Sequence, residues 1–337
     1  MQPIPEWHDV DADKFRGEIL AQYKPAILRG VVKNWPVVQL AQTSPESACA
    51  YIRKLDCGNN VDALRTPPHA NGRIFYNDDM SGFNYVRSKT PISAVIDQLT
   101  KYAKLQNPPA LAVQSALIAE CLPGFLKEHP LPLLDAAVQP RIWIGNTVVT
   151  PAHFDESNNI ACVAIGRRRF TLFPPEQIAN LYIGPLGHAP TGTPISMVSF
   201  REPDHERFPR FKEALAAALV AELEPGDAIY IPTLWWHHVE SLEKYNALVN
   251  YWWKGDVGSN AKIPSALDCL LHCLVNFNHL APEHKIAWQA IFEHYVFNPE
   301  GSAGAHIPEN RRGVLGPISP ELAQQVKAFL VTQLQKR

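Results

Sequence analysis

Nowhere in the 337 residues does an uninterrupted apolar run approach the ~18 residues that a membrane-crossing helix requires, so a chain built around such helices is excluded. The opening stretch MQPIPEWHDVDADKF has neither a basic start nor an apolar core, which argues against a secretory signal and leads us to expect a soluble, cytoplasmic protein. Charge of one sign is lacking as well. Lysine and arginine total 31 against 33 acids, a net charge of −2, and this balance gives no electrostatic footprint for nucleic acid or a membrane surface. A small-molecule or peptide-like partner is expected instead. The six cysteines (Cys49, Cys57, Cys121, Cys162, Cys269 and Cys273) form no CxxC pair, and Cys162 lies in an apolar run where a buried thiol is ordinary. That usage fits a reducing compartment. Internal repeats and low-complexity segments are also missing.

The length suits one core of roughly 200–250 residues with an appendage. PAILRGVVKNWP (Pro25 to Pro36) reads as a short buried strand turning at Gly30, followed by a helix that opens at Ser44-Pro45, an N-cap with proline in the first turn. From Arg141 to Lys254 short apolar runs alternate with Pro, Gly and Asn: RIWIGN, NIACVAIG, RRFTLFPP, DAIYIP and NALVNYWW. Many short strands with regular punctuation suggest a sandwich or barrel. Within PDHERFPRFKEALAAALVAEL a helix is expected from about Phe208 to Leu223, as an excursion from the sheet. Beyond Gly258 the period becomes helical, with Leu267, Leu270, Leu271, Leu274 and Val275 on one face, a second segment from Pro282 to Phe297, and a third opening at Ser319-Pro320. The Pro- and Gly-rich residues 298–318 connect these parts. The expected organisation is a catalytic domain over 1–257, with its barrel core at about 141–255 and α/β elements before it, and a helical segment over 258–337.

TPAHFDESNN places His153 and Asp155 two residues apart, so an extended strand sends both to one face and Phe154 to the other. An HxD pair also arises by chance, or as a surface ion pair. What raises its weight is the distant PTLWWHHVESL, at the end of a strand introduced by the turn PGD. Two histidines and one carboxylate form the facial triad of non-haem Fe(II) oxygenases, with positions left for co-substrate and dioxygen. After Pro232, His237 shares a face with Val239 and His238 with Glu240; the apolar neighbour marks the interior, so His237 is the ligand candidate. His238 is expected to point outward or into supporting hydrogen bonds. In GRRRFTLFPP alternation puts Arg168 with Phe170 and Leu172, and a cation on an apolar interior face needs an anion, whereas Arg167 and Arg169 fall opposite with Thr171. A solvated basic edge is the alternative. In NALVNYWWKG the same rule groups Leu248, Asn250 and Trp252, as pocket wall or as packing.

TPAHFD, GRRRFTLFPPEQ, PDHERFP, LEPGDAIYIPTLWWHHVESL and NYWWKG together resemble the jumonji-C (cupin-like) 2-oxoglutarate oxygenases, and most of all the branch containing the asparaginyl hydroxylase that inhibits the hypoxia-inducible factor. The likeness is strong from about Arg141 to Gly255 and weaker elsewhere. It implies a double-stranded β-helix, a jelly-roll or cupin barrel that is mainly β with helical additions. Fe(II) would be held by His153, Asp155 and His237. By the same resemblance Thr150 and Arg168 would hold the distal carboxylate of 2-oxoglutarate, Asn159 and Asn250 would sit beside its keto-acid end, and Trp252 would wall the pocket. The sequence departs from that hydroxylase in three ways. Arg168 stands for its lysine, Ala112 in PALAVQSAL stands for its assisting tyrosine, and Pro194 and Ile195 replace polar residues that grip its peptide. The function implied is hydroxylation of a protein or peptide side chain with 2-oxoglutarate and O2. The alternatives are a small-molecule hydroxylase with the same iron chemistry, and a metal-binding cupin without turnover. A homodimer through residues 258–337 is also implied.

Overall fold

Side chains that alternate between two faces organise the N-terminal unit of the computed structural model, which describes residues 1–255, 265–298 and 303–335. Its strands in chain order are β1 (Gln2–Pro3), β2 (Glu6–Trp7), β3 (Ala26–Leu28), β4 (Val61–Thr66), β5 (Val86–Thr90), β6 (Ala110–Leu117) and β7 (Pro140–Gly145). They continue with β8 (Val149–His153), β9 (Asn158–Ile165), β10 (Arg168–Phe173), β11 (Leu219–Leu223), β12 (Ala228–Ile231), β13 (Trp236–Ser241) and β14 (Asn246–Trp253). Hydrogen bonding orders them into a five-stranded sheet, β1-β11-β10-β13-β8, and a nine-stranded sheet, β2-β3-β12-β9-β14-β7-β6-β4-β5. The fold is mainly β with helical additions, as expected. Its jelly-roll core consists of two facing sheets whose ladders do not close into one continuous barrel.

One apolar cluster lies between the sheets, with Phe170, Leu172, Ala221 and Val239 from one and Ala161, Val163, Ile229 and Leu248 from the other. Along β9, Ala161 and Val163 point into that space. Ile160, Cys162 and Ala164 point away, into a second cluster shared with helices Pro36–Thr43, Pro45–Leu55 and Ile92–Tyr102. Burial on both faces is why NIACVAIG reads as an unbroken apolar run rather than an alternation. At Gly30 the backbone takes φ +66, a left-handed turn that glycine adopts without steric cost, and its N–H donates to Asp227 Oδ1 at 2.9 Å, fastening β3 to the PGD turn. Ser44 caps the helix Pro45–Leu55 by accepting from the Ser47 N–H, with Pro45 in its first turn. The preceding helix Pro36–Thr43, opened by Trp35-Pro36, was not expected.

The helix expected from Phe208 to Leu223 is shorter. It spans Phe211–Ala217, and Ala218 turns extended (ψ 139) so that residues 219–223 become β11. Local propensity across EALAAALVAEL favours helix. The ladder to β10, which pairs Leu223 with Arg168 and Ala221 with Phe170, overrides it by burying Ala221 and Leu223.

Contacts divide the chain into units 1–264 and 265–337. The expected boundary between 257 and 258 lies outside the described residues. The second unit contains helices Ala266–Phe277, Pro282–Tyr295 and Pro320–Gln335, the last two starting where expected, and none of their described side chains is buried. Phe277 packs on Trp288 and Phe292, but Leu270, Leu274 and Val275 stay exposed. Among the described residues no helix is long and apolar enough to cross a membrane.

Candidate metal centre

His153 ends β8, Asp155 follows in the turn beyond it, and His237 lies in β13, which runs antiparallel to β8 with His237 directly opposite His153. One ligand-capable atom from each of the three lies within 4.8 Å of the others. The imidazole rings are 4.2 Å apart between centroids. His153 Nδ1 is 2.9 Å from the Pro151 carbonyl and His237 Nδ1 is 3.0 Å from the Trp235 carbonyl. A carbonyl only accepts, so each Nδ1 carries a proton and Nε2 is the nitrogen left to act as a ligand. Asp155 Oδ2 accepts from Trp252 Nε1 at 3.0 Å and from Asn159 Nδ2 at 3.4 Å, and Asn159 in turn accepts from Asn250 Nδ2 at 2.9 Å. Such supporting bonds fix the orientation of metal-ligating groups. Burial, and then the neighbouring His237, push the His153 pKa down to about 4, which keeps the imidazole neutral and able to coordinate.

The turn carrying Asp155 is tied to the loop before His237. The Asp155 carbonyl accepts from the Leu234 N–H at 2.9 Å, and Leu234 itself sits at φ +64. A branched side chain in the left-handed region is strained, and this bond is one of the contacts holding it there.

A pocket extends from the three candidate ligands between the sheets, and Thr150, Asn159, Arg168, Asn250 and Trp252 all line it. Strict alternation would send Thr150 and His153 to opposite faces. The β8–β13 register shifts between them, since His237 faces His153 but Val239 faces Thr150, so three steps on β8 match two on β13. This bulge, at Pro151 and Ala152, turns both side chains inward.

Arg168 is 8% exposed and has no ion-pair partner among the described residues; its Nε lacks any hydrogen bond. Burial lowers its pKa to about 10, which leaves it charged at neutral pH. Its neighbours differ. Arg167 pairs with Glu243 and Glu222, and Arg169 with Glu222 and Glu240, at the surface. A buried cation without a partner is a strong demand for an anionic ligand. Two further buried polar atoms in this pocket lack partners, Trp143 Nε1 and Asn250 Oδ1. Trp143 was not singled out in the sequence, although the alternation in RIWIG was available for it.

His238 lies on the other face of β13, as the alternation indicated, but it is neither exposed nor hydrogen-bonded. It is 3% exposed, its ring stacks on Phe200 at 4.1 Å, and neither ring nitrogen has a partner among the described residues. Burial first, and then Arg73, depress its pKa to about 3, so it is a neutral plate in an aromatic stack. Ala112 packs with Leu64, Ile74 and Val148 and does not line the pocket. Ile195 is fully buried.

A family model described as a cupin-like domain matches residues 12–259. Lysine-specific demethylase 8 of Xenopus tropicalis is 24% identical over 261 residues, covering 74% of this chain and 52% of that protein. HSPB1-associated protein 1 of Homo sapiens is 31% identical over 149 residues, covering 44% and 30%. JmjC domain-containing protein D of Dictyostelium discoideum is 37% identical over 108 residues, covering 32% and 23%. The chain thus spans about half the length of the first of these relatives and less than a third of the other two.

Proposed function

The chain belongs to the cupin-like, JmjC-type domain family, and from that premise we propose that it is an Fe(II)- and 2-oxoglutarate-dependent oxygenase that hydroxylates a protein or peptide side chain. One observation carries the reading: a two-imidazole, one-carboxylate donor set stands at one end of a pocket that also encloses an unpaired, buried guanidinium. A molecule with a chelating 2-oxo acid head and a carboxylate tail satisfies both. The donor set suits Fe(II), because two imidazole nitrogens and one carboxylate leave open positions on the metal. His153, Asp155 and His237 would hold it, Thr150 and Arg168 would take the tail, Asn159 and Asn250 would flank the head, and Trp252 would form the wall. When bound, the metal supplies the chemistry by which 2-oxoglutarate is decarboxylated to succinate and CO2 while an oxygen atom from O2 enters the substrate.

The protein's own contribution is orientation and dryness. Trp252 and Asn159 hold the Asp155 carboxylate through its Oδ2. Arg168 neutralises the tail of the co-substrate in a medium where a charge-assisted bond is strong. Phe170, Val239 and Leu248 line the pocket with apolar surface and keep water from the reacting atoms. A protein substrate is supported by the name of the Xenopus relative, a lysine-specific demethylase. The exposed apolar side chains Leu270, Leu274, Val275 and Ile286 support pairing of two copies through the C-terminal helices. To test the reading, cell-lysate fractions are incubated with the protein, Fe(II), 2-oxoglutarate and air, and peptides that gain one oxygen atom are sought by mass spectrometry. Gain that needs both cofactors supports it; turnover of small metabolites alone would replace the peptide by a small-molecule substrate.

A further inference from the structure

We propose that the indole N–H of Trp143 is a second donor to the distal carboxylate of the co-substrate, alongside Arg168, so that this tryptophan helps the pocket prefer a 2-oxo diacid over a chelator without a tail. The inference rests on the oxygenase reading above. Ladder registers set the depth of each residue. In the five-stranded sheet His237 faces Leu172, Val239 faces Phe170 and Ser241 faces Arg168, which places Arg168 two inward-facing positions beyond the candidate metal ligands. In the nine-stranded sheet Trp252 pairs with Asn159 and donates to Asp155, so it marks the metal end. Stepping inward along β14, Asn250 pairs with Ala161, and Leu248 then pairs with Val163 on one side and Trp143 on the other. The backbone of Trp143 therefore also starts two inward-facing positions from the metal end, as that of Arg168 does on the facing sheet.

Both residues line the same pocket, and both carry an enclosed N–H with no acceptor: Arg168 Nε and Trp143 Nε1. Asn250 Oδ1 is unpaired too, so the indole has not been satisfied by the amide beside it. Two unpaired donors lining one pocket, one of them cationic, match the acceptor-only chemistry of an ionised carboxylate. The Trp143 ring meets Trp252 edge to face at 6.2 Å, which restrains its orientation.

The test is calorimetric titration of the full chain, loaded with Mn(II) under argon, with 2-oxoglutarate and separately with oxalate, a chelator that has no tail. Trp143→Phe keeps an aromatic ring and removes the donor. It should weaken 2-oxoglutarate roughly ten- to hundred-fold while oxalate binds as before. Trp143→His, which returns a ring N–H, should recover part of that loss. Unchanged 2-oxoglutarate affinity in Trp143→Phe would overturn the assignment. So would an equal loss for both ligands, because the ring would then act through packing alone. If the unsubstituted chain binds oxalate but shows no preference for 2-oxoglutarate, the oxygenase reading falls with it.

Discussion

Replacing Arg168 by methionine separates what a buried guanidinium does before the co-substrate arrives from what it does afterwards. In the fold its pKa falls from the ordinary arginine value to about 10, with burial as the cause, so keeping it charged costs on the order of 3 kcal/mol. The sign follows from linkage. A base whose pKa is lowered by folding carries this penalty at every pH below the folded value, and the penalty lifts only as the pH rises past about 10. At neutral pH the ligand-free protein therefore bears all of it. Methionine fills similar space without charge, and Arg168 Nε has no hydrogen bond to lose. Arg168→Met should leave the ligand-free protein at least as stable as the parent, with a rise in Tm of up to several degrees, at roughly 2–4 °C per kcal/mol for a domain near this size. The opposite holds with ligand present. At a hundredfold excess over Kd, 2-oxoglutarate should stabilise the parent by about 2.7 kcal/mol. Removing one partner of a buried charged pair costs about 3–5 kcal/mol, enough to abolish that increment in the variant. Differential scanning calorimetry of both proteins, with and without 2-oxoglutarate and with Mn(II) present, measures all four states. A variant that is less stable without ligand, yet still gains from 2-oxoglutarate, would refute the anchor role of Arg168.

Three further outcomes are expected. His237→Ala should lose bound metal, whereas His238→Phe, which keeps a flat ring on Phe200, should retain it and change stability by less than about 1.5 kcal/mol; metal analysis of the purified variants decides between the two. Because the His238 pKa drops to about 3 in the fold, the unfolded chain takes up its proton first as the pH falls through about 6.5, and stability is lost from there downward. Between pH 6.5 and 5 the metal-free parent should therefore lose about 1.6 kcal/mol more than His238→Phe in urea unfolding, and equal losses would contradict the buried, neutral assignment. Light scattering should give twice the 37.6 kDa of one chain, with Leu274→Glu plus Val275→Glu returning the monomer; a monomeric parent would remove the dimer proposal.

That His237 and His238 fall on opposite faces of β13 was legible because it depends on a period of two within one strand, and the pairing of Val239 with Phe170 in the core keeps that period intact. The same rule separated Arg168 from Arg167 and Arg169. It does not reach Thr150, since a bulge in β8 changes the parity between Thr150 and His153, and alternation within one strand does not indicate where a partner strand slips. The misplaced helix over residues 218–223 has a similar cause: helix-favouring alanines and leucines are recruited to a ladder with β10, and the strand is set by its distant partner. Trp143 is not legible in the sequence, because an unpaired indole N–H and a pocket shared with Arg168 exist only in the folded chain. The expectation that His238 would point outward or into supporting hydrogen bonds failed for a different reason. A neutral imidazole stacked on Phe200 can be buried as an aromatic surface, and the pattern WWHH does not reveal what covers it.

The most direct measurement is succinate release from 2-oxoglutarate under air, with Fe(II) added, by the parent chain and by Asp155→Ala and His237→Ala. The parent should form succinate above a metal-only blank even without added substrate, and both variants should fall to the blank, because each leaves only two of the three candidate ligands. Succinate at the blank level from a parent chain that demonstrably binds Fe(II) and 2-oxoglutarate would contradict the oxygenase assignment and leave a metal-binding cupin-like protein without turnover.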